Sequence, residues 1–302
     1  MASAPIVFDR AAVRRNRRRA QKLGPATFLI DRAAEDFCDR LRAVLRRFAL
    51  AVDLASPTDA VRRRLRDADL VSAIVAVTDG ANAAAGTRDD DPTIVADAEA
   101  LPLREDSLDL VVSALALQFV DDLPGTFVQV RRALKPDGLF LAALIGGDSL
   151  IELRQAFAAA EAELEAGAAP HVAPFPDVRA IGMLLQRAGF ALPVADVERL
   201  TVRYASPFAL MQDLRRMGAT NALAERRRTP LRRSTLLRTA EIYTERFADP
   251  DGKVRATFDI VWLSGWKPHA SQQQPLAPGS VKTRLADALG TRELPAGDKA
   301  GR

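Results

Sequence analysis

Cysteine and histidine are nearly missing from this chain. Its 302 residues hold one cysteine, Cys38, and two histidines, His171 and His269. One thiol makes no internal disulfide, and the shortage excludes multi-cysteine zinc or iron–sulfur centres and any three-histidine metal site. Cys38 lies in an Arg-rich helical pattern with no histidine nearby, which marks it as a packed residue and not a nucleophile. No apolar run approaches the ~18 to 20 residues that cross a bilayer. The longest, Val111–Val120 and Leu139–Ile145, have strand length. The N-terminus has no apolar signal core. Lysine is scarce too, six against 37 arginines, in an Ala-rich chain of net charge +4. Aromatics do not interleave with the arginine clusters, Arg14–Lys22 with Arg10 before it and Arg226–Arg228 with Arg232 and Arg233. Nucleic-acid binding is therefore not expected. The clusters read as solvated helix faces, the other reading being docking onto an acidic partner or an anionic membrane surface. A reducing cytoplasm is the expected location, with peripheral contact at the inner membrane as the membrane option.

What is present is an alternation of strand and helix. Residues 1–48 form a basic, helical N-terminal segment, with helices after Phe8–Asp9 and over Arg32–Arg47, the latter facing Phe37, Leu41, Val44, Leu45 and Phe48 inward. Over 49–148, five apolar runs (Ala49–Leu54, Ser72–Val77, Thr93–Ala96, Leu108–Leu115, Leu139–Leu144) alternate with helical stretches and turn signals at Asp79-Gly80 and Lys135–Gly138. Continuous apolar strands separated by helices imply a parallel sheet covered on both faces, hence a doubly wound α/β layer. Residues 149–270 add helices over Ser149–Gly167, Val178–Ala188, Phe208–Met217 and Ser234–Phe247. This region also carries a strand or strand pair at Leu192–Tyr204 and a returning strand at Arg255–Leu263. Residues 271–302, rich in Gln, Pro, Gly and charge, read as a flexible tail.

Ligands of open α/β sheets sit outside the carboxyl ends of the strands. The strings found there carry a resemblance. Val52-Asp53-Leu54, Val77-Thr78-Asp79, Asp97–Leu103, Asp106–Val111 and Arg131–Leu139 resemble a class I S-adenosylmethionine-dependent methyltransferase. The implied fold is a Rossmann-like methyltransferase sheet with helical additions after the fifth strand. Gly146–Arg154, Pro170–Phe175 and Gly265–His269 resemble the respiratory complex I assembly-factor methyltransferases, found in mitochondria and related bacteria. The resemblance implies S-adenosylmethionine as cofactor and a complex I subunit as protein substrate or assembly partner. The malonyl-carrier-protein O-methyltransferases of biotin synthesis are the competing relatives.

By the same resemblance, Asp53, Ala55, Asp79, Asp97, Ala98 and Ser113 line the cofactor, with Asp79 taking the ribose hydroxyls and Asp97 the adenine amino group. Asp79 is equally a turn-maker before Gly80, and Asp97 a cap. Gln118-Phe119 stands where relatives show His-Trp, so no imidazole acts there. Gln118 orients a polar substrate group, His171 is a candidate base or a structural loop histidine, and Tyr204 faces the same cavity or packs in the core. One departure bears on catalysis. In Asp53–Asp59, Ala55, Pro57 and Asp59 stand at the three places where glycine is expected. Proline removes an amide donor, and alanine puts a methyl where glycine allows close approach and positive φ. A scaffold that kept the fold and lost the cofactor is thus the alternative to a methyltransferase.

Overall fold

The computed structural model describes residues 6–80, 92–165, 167–273, 287, 290 and 291. The expected tail from Ser271 and the far side of the Asp79-Gly80 turn lie almost wholly outside these residues. The body runs through Pro268, and the piece from His269 is a separate unit, in which His269 Nδ1 lies 2.7 Å from Ser271 Oγ.

Seven strands form one sheet in the order β3-β2-β1-β4-β5-β7-β6. Strands β1 (Phe48–Leu54), β2 (Val71–Thr78), β3 (Thr93–Val95), β4 (Leu108–Ala114) and β5 (Leu134–Gly146) run parallel. β7 (Val254–Trp266) returns antiparallel between β5 and the edge strand β6 (Ala191–Tyr204), which is one long strand. Every residue of β4 is buried, as an apolar strand covered on both faces must be.

Helices α2 (Phe28–Ala43) and α3 (Ala60–Asp67) cover one face, where Phe37, Leu41 and Leu65 meet Phe48, Leu110 and Trp262. Helices α4 (Leu123–Ala133) and α6 (Val178–Arg187) cover the other, through Phe127, Val130, Ile181 and Leu185. A third cluster joins α5 (Ile151–Leu164), α7 (Pro207–Arg216) and α8 (Arg233–Phe247) to the start of β7. Helix α1 (Arg10–Leu23) is capped by Asp9, whose side chain accepts from the Ala12 amide. It docks on the segment after α7: Asp9 N donates to Ala222 O at 2.8 Å and Asn16 Nδ2 to Thr220 O at 2.8 Å.

Several boundaries shift by a few residues from the sequence expectation, and two of the shifts alter a turn. The second helix ends at Ala43, because Leu45 takes φ 54° and turns the chain into β1; that turn throws Leu45 outward, 93% exposed, where an inward position was expected. The Lys135–Gly138 stretch lies inside β5, which pairs from Leu134 with Leu108 across a register shift. Cys38 is buried and free, as a packed thiol.

Candidate functional site

At the carboxyl ends of β1 to β4 the chain leaves a crevice of about 250 Å³. Ala55, Asp79, Asp97 and Ala98 border it together, on walls of Leu54, Val77, Ala96 and Val120. Helix α4 fixes the Asp97 string: Gln129 Nε2 donates to Glu99 O at 2.8 Å and Thr126 Oγ1 to Ala98 O at 3.1 Å. The far wall is α1, which contributes Arg10, Val13, Arg14 and Arg17. Arg10 forks to Asp97 and Glu99, and Arg17 reaches Asp79 at 3.4 Å. Arg17 is buried, and loss of solvent lowers its basicity while Asp79 restores part of it. Two of the arginines expected on a solvated face thus turn inward onto the carboxylates. Positions 10, 14 and 17 share one face of the helix, and Asp97, Glu99 and Asp79 meet two of the three across the crevice. Arg14 stays exposed and makes no ion pair or hydrogen bond among the described residues.

Asp53 and Ser113, expected along the cofactor, do not border the crevice. Asp53 is buried, bonded by Ser56 Oγ and by Arg62 at 2.6 Å. Burial pushes its carboxyl up, while Arg62 and Ser56 pull it back. Ser113 Oγ donates to Leu54 O at 2.7 Å and ties β4 to β1. Ala55 adopts φ 60°, the left-handed conformation of a glycine turn, with its amide on Val77 O at 2.7 Å. The turn keeps the backbone shape without the residue. Ser56 Oγ also accepts from the Ala114 amide at 3.0 Å, so the turn is filled by its own side chains.

Beyond Arg17 and Phe119, which border both spaces, lies an apolar cavity of about 490 Å³. It is walled by Leu29, Leu115, Ile145, Leu153, Phe157, Phe175, Met211 and Phe258, with Pro57 and Thr58 of the first turn. Gln118 borders it from the turn Leu117–Phe119: Nε2 donates to Leu115 O at 2.8 Å, while Oε1 is buried without a donor. His171 borders it too. Its Nε2 lies 2.7 Å from Oε1 of buried Glu161, and its ring stacks on Phe157 at 4.1 Å. A carboxylate only accepts, so this pairing puts a proton on Nε2. Tyr204, expected at the same cavity, borders neither space. It ends β6 among the third cluster, and burial raises its hydroxyl far above the usual range. Four arginines of the other cationic cluster pair within the chain, Arg226 and Arg228 with Asp9, Arg227 and Arg232 with Glu165.

Sequence reasoning missed Arg10, Arg17, Ser56, Arg62, Glu99 and Glu161. For the α1 arginines the signal was their shared helical face. For Arg62 and Glu161 there was none, because their partners are met only across the fold. Among the described residues no cluster of His, Cys, Asp and Glu is placed to hold a metal ion, and no helix is long and apolar enough to cross a membrane.

The sheet order, with its antiparallel seventh strand and a crevice at the strand tips, defines the class I methyltransferase fold. The Methyltransferase domain family matches residues 52–142. The YcgJ protein of Bacillus subtilis has the same fold, with a TM-score of 0.52, 13% identity and coverage of 76% of this chain and 97% of that one. The arginine-hydroxylase NDUFAF5, mitochondrial, of Danio rerio is 37% identical over 288 residues, 93% of this chain and 89% of that protein. The malonyl-acyl-carrier-protein O-methyltransferase of Xylella fastidiosa (strain M23) is 42% identical over 175 residues, covering 58% of this chain and 57% of that one. The chain belongs to the NDUFAF5 family of methyltransferase-fold proteins.

Proposed function

We propose that this chain serves the assembly of respiratory complex I, binding one of its protein subunits to modify or chaperone it. The observation that carries the reading is the end-to-end match to NDUFAF5, an arginine-hydroxylase by name, against a match to the malonyl-acyl-carrier-protein enzymes that spans 58% of the chain. The division of labour follows the sequence reading: 1–48 as a basic helical segment, 49–148 as nucleotide-binding core, and 149–270 as the substrate or partner region whose returning strands complete the sheet; to this α1 adds a wall of the crevice. The place of action is the cytoplasm, with peripheral contact at the inner membrane, and nucleic acid is not a partner.

The crevice suits the adenosyl half of S-adenosylmethionine: Asp79 toward ribose hydroxyls, Asp97 toward the adenine amino group, and small apolar walls between them. It does not suit the methionyl half. Pro57 offers no amide, Asp53 is spent on Arg62, and Ser56 occupies the turn. Arg10 and Arg17 must also release their carboxylates before an adenosyl group takes them. The filled turn supports a second reading, a scaffold that acts by binding alone.

Thermal melting with S-adenosylmethionine tests the cofactor, since a ligand of the folded state raises the midpoint with concentration. We expect little shift in the wild-type chain at millimolar ligand. The double variant Arg10→Ala, Arg17→Met should show a clear concentration-dependent shift. If that variant and a triple change of Ala55, Pro57 and Asp59 to Gly both stay silent, the scaffold reading replaces the cofactor reading. Complex I that assembles normally in a host deleted for this gene would sink the assembly reading itself.

A further inference from the structure

Arg17, Arg215 and Arg216 border the apolar cavity, and among the described residues no Asp or Glu does. Two of the three are already answered: Arg17 by Asp79 at 3.4 Å, Arg216 by Asp213 at 3.3 Å and the Gly24 carbonyl at 2.7 Å. Arg215 is exposed, and its side chain makes no ion pair or hydrogen bond among the described residues. Arg19 adds to the same place. It bonds only neutral oxygens, Asn16 Oδ1 at 3.3 Å and Thr220 Oγ1 at 2.8 Å, and Thr220 is part of the cavity wall. Burial first, and then the like charges of Arg215 and Arg15, lower the basicity of Arg19. Cations gathered without a counter-ion repel one another, and the field they create favours an anion.

The interior asks for a different kind of group. Leu29, Leu153, Phe157, Phe175 and Phe258 give it an apolar lining, and its volume falls within the ~300 to 1,000 Å³ typical of small-molecule sites. A cation entering it would lose its water and meet no carboxylate among the described residues of the wall, at a far greater cost than an apolar group.

We propose that this cavity is a binding site for an apolar anion. The body of the ligand packs among Leu29, Phe157, Phe175 and Phe258, and a carboxylate head rests against Arg215 and Arg19. A simple alkylammonium is disfavoured, because it would add positive charge to a wall whose described residues include no carboxylate. The site is separate from the adenosyl crevice, with Arg17 and Phe119 as the partition, and the proposal holds whatever becomes of the cofactor.

The test uses the full chain and three probes with one tail: decanoate, 1-decanol and decylammonium, each kept below its micelle concentration and titrated calorimetrically without S-adenosylmethionine. Decanoate should bind about tenfold more tightly than decanol. Its affinity should fall as salt is added, and decylammonium should bind most weakly. Arg215→Gln should weaken decanoate about tenfold and leave decanol unchanged. Arg215 is exposed and makes no ion pair among the described residues, so this variant should keep the wild-type circular dichroism and melting midpoint. Ala173→Trp, which fills the cavity from its half-buried wall, should weaken both decanoate and decanol. The proposal is overturned if decylammonium matches decanoate, if Arg215→Gln leaves decanoate affinity intact, if Ala173→Trp changes neither ligand, or if no probe binds.

Discussion

Asp53 sits at the end of β1 where relatives of this fold meet their cofactor, yet here it is sealed into an ion pair with Arg62, both side chains almost without exposure. An ion pair held this deep is weak proof of stability, since its desolvation cost rivals its attraction. Breaking it from one side is another matter. Arg62→Met would leave a buried carboxylate with Ser56 alone, and should cost about 3 kcal/mol in urea denaturation. A loss under ~1 kcal/mol would mean that the pair is solvated and that Asp53 is free for a ligand after all. The residue types at the first turn were readable in advance. Alanine at a glycine place does take φ 60°, as its position implied. The occupant of Asp53 was not readable, because Arg62 looks like any arginine on a short helix until the turn folds it inward.

At the scale of elements, α1 is the part that most changes the site. Its sequence has no broad apolar stripe, only Ala12, Val13 and Ala20 among its buried apolar positions, so a solvated helix was a natural reading. The helix is held instead by its ends and by charge. Asp9 caps it and pairs with Arg226, and Asp121 accepts the amides of Val7 at 3.1 Å and Phe8 at 3.0 Å. The Asp9 carboxyl is held down to about 2 from its ordinary 3.8, first by the hydrogen bond from Arg226 and then by that of the Ala12 amide. A carboxyl more acidic when folded stabilises the fold at every pH above its unfolded value and loses that contribution as pH falls toward the folded one. The urea midpoint of Asp9→Asn should therefore lie below wild type at pH 6, with the gap closing between about pH 4 and pH 2. A gap that persists at pH 2 would show that the Asp9 charge is not what anchors α1.

On the scale of the molecule, the parallel core was legible because a strand buried on both faces must be continuously apolar, and β4 is. The returning β7 was legible from its alternation of Val254, Ala256, Phe258, Ile260 and Trp262. Its place between β5 and β6 was not, since pairing between distant segments leaves no local trace. The junction of sheet and added region is tight at Gly146, where β5 ends. A Cβ there would collide with a Val261 methyl of β7 and lie 2.9 Å from the Pro176 carbonyl oxygen, so an added methyl must displace both. Gly146→Ala should cost about 2 kcal/mol of stability in chemical denaturation, and an unchanged midpoint would mean that the Pro170–Pro176 loop yields freely.

Helix α1 also sets a schedule. Its docking partners, Ala222, Thr220 and Arg226, are translated some two hundred residues after Arg10. Helix α1 thus leaves the ribosome long before that seat exists, and while β1 to β5 assemble it can meet Asp79, Asp97, Glu99 and Asp121 but not the segment after α7. A nascent chain halted near residue 150 would wall its crevice with a helix held on one side alone.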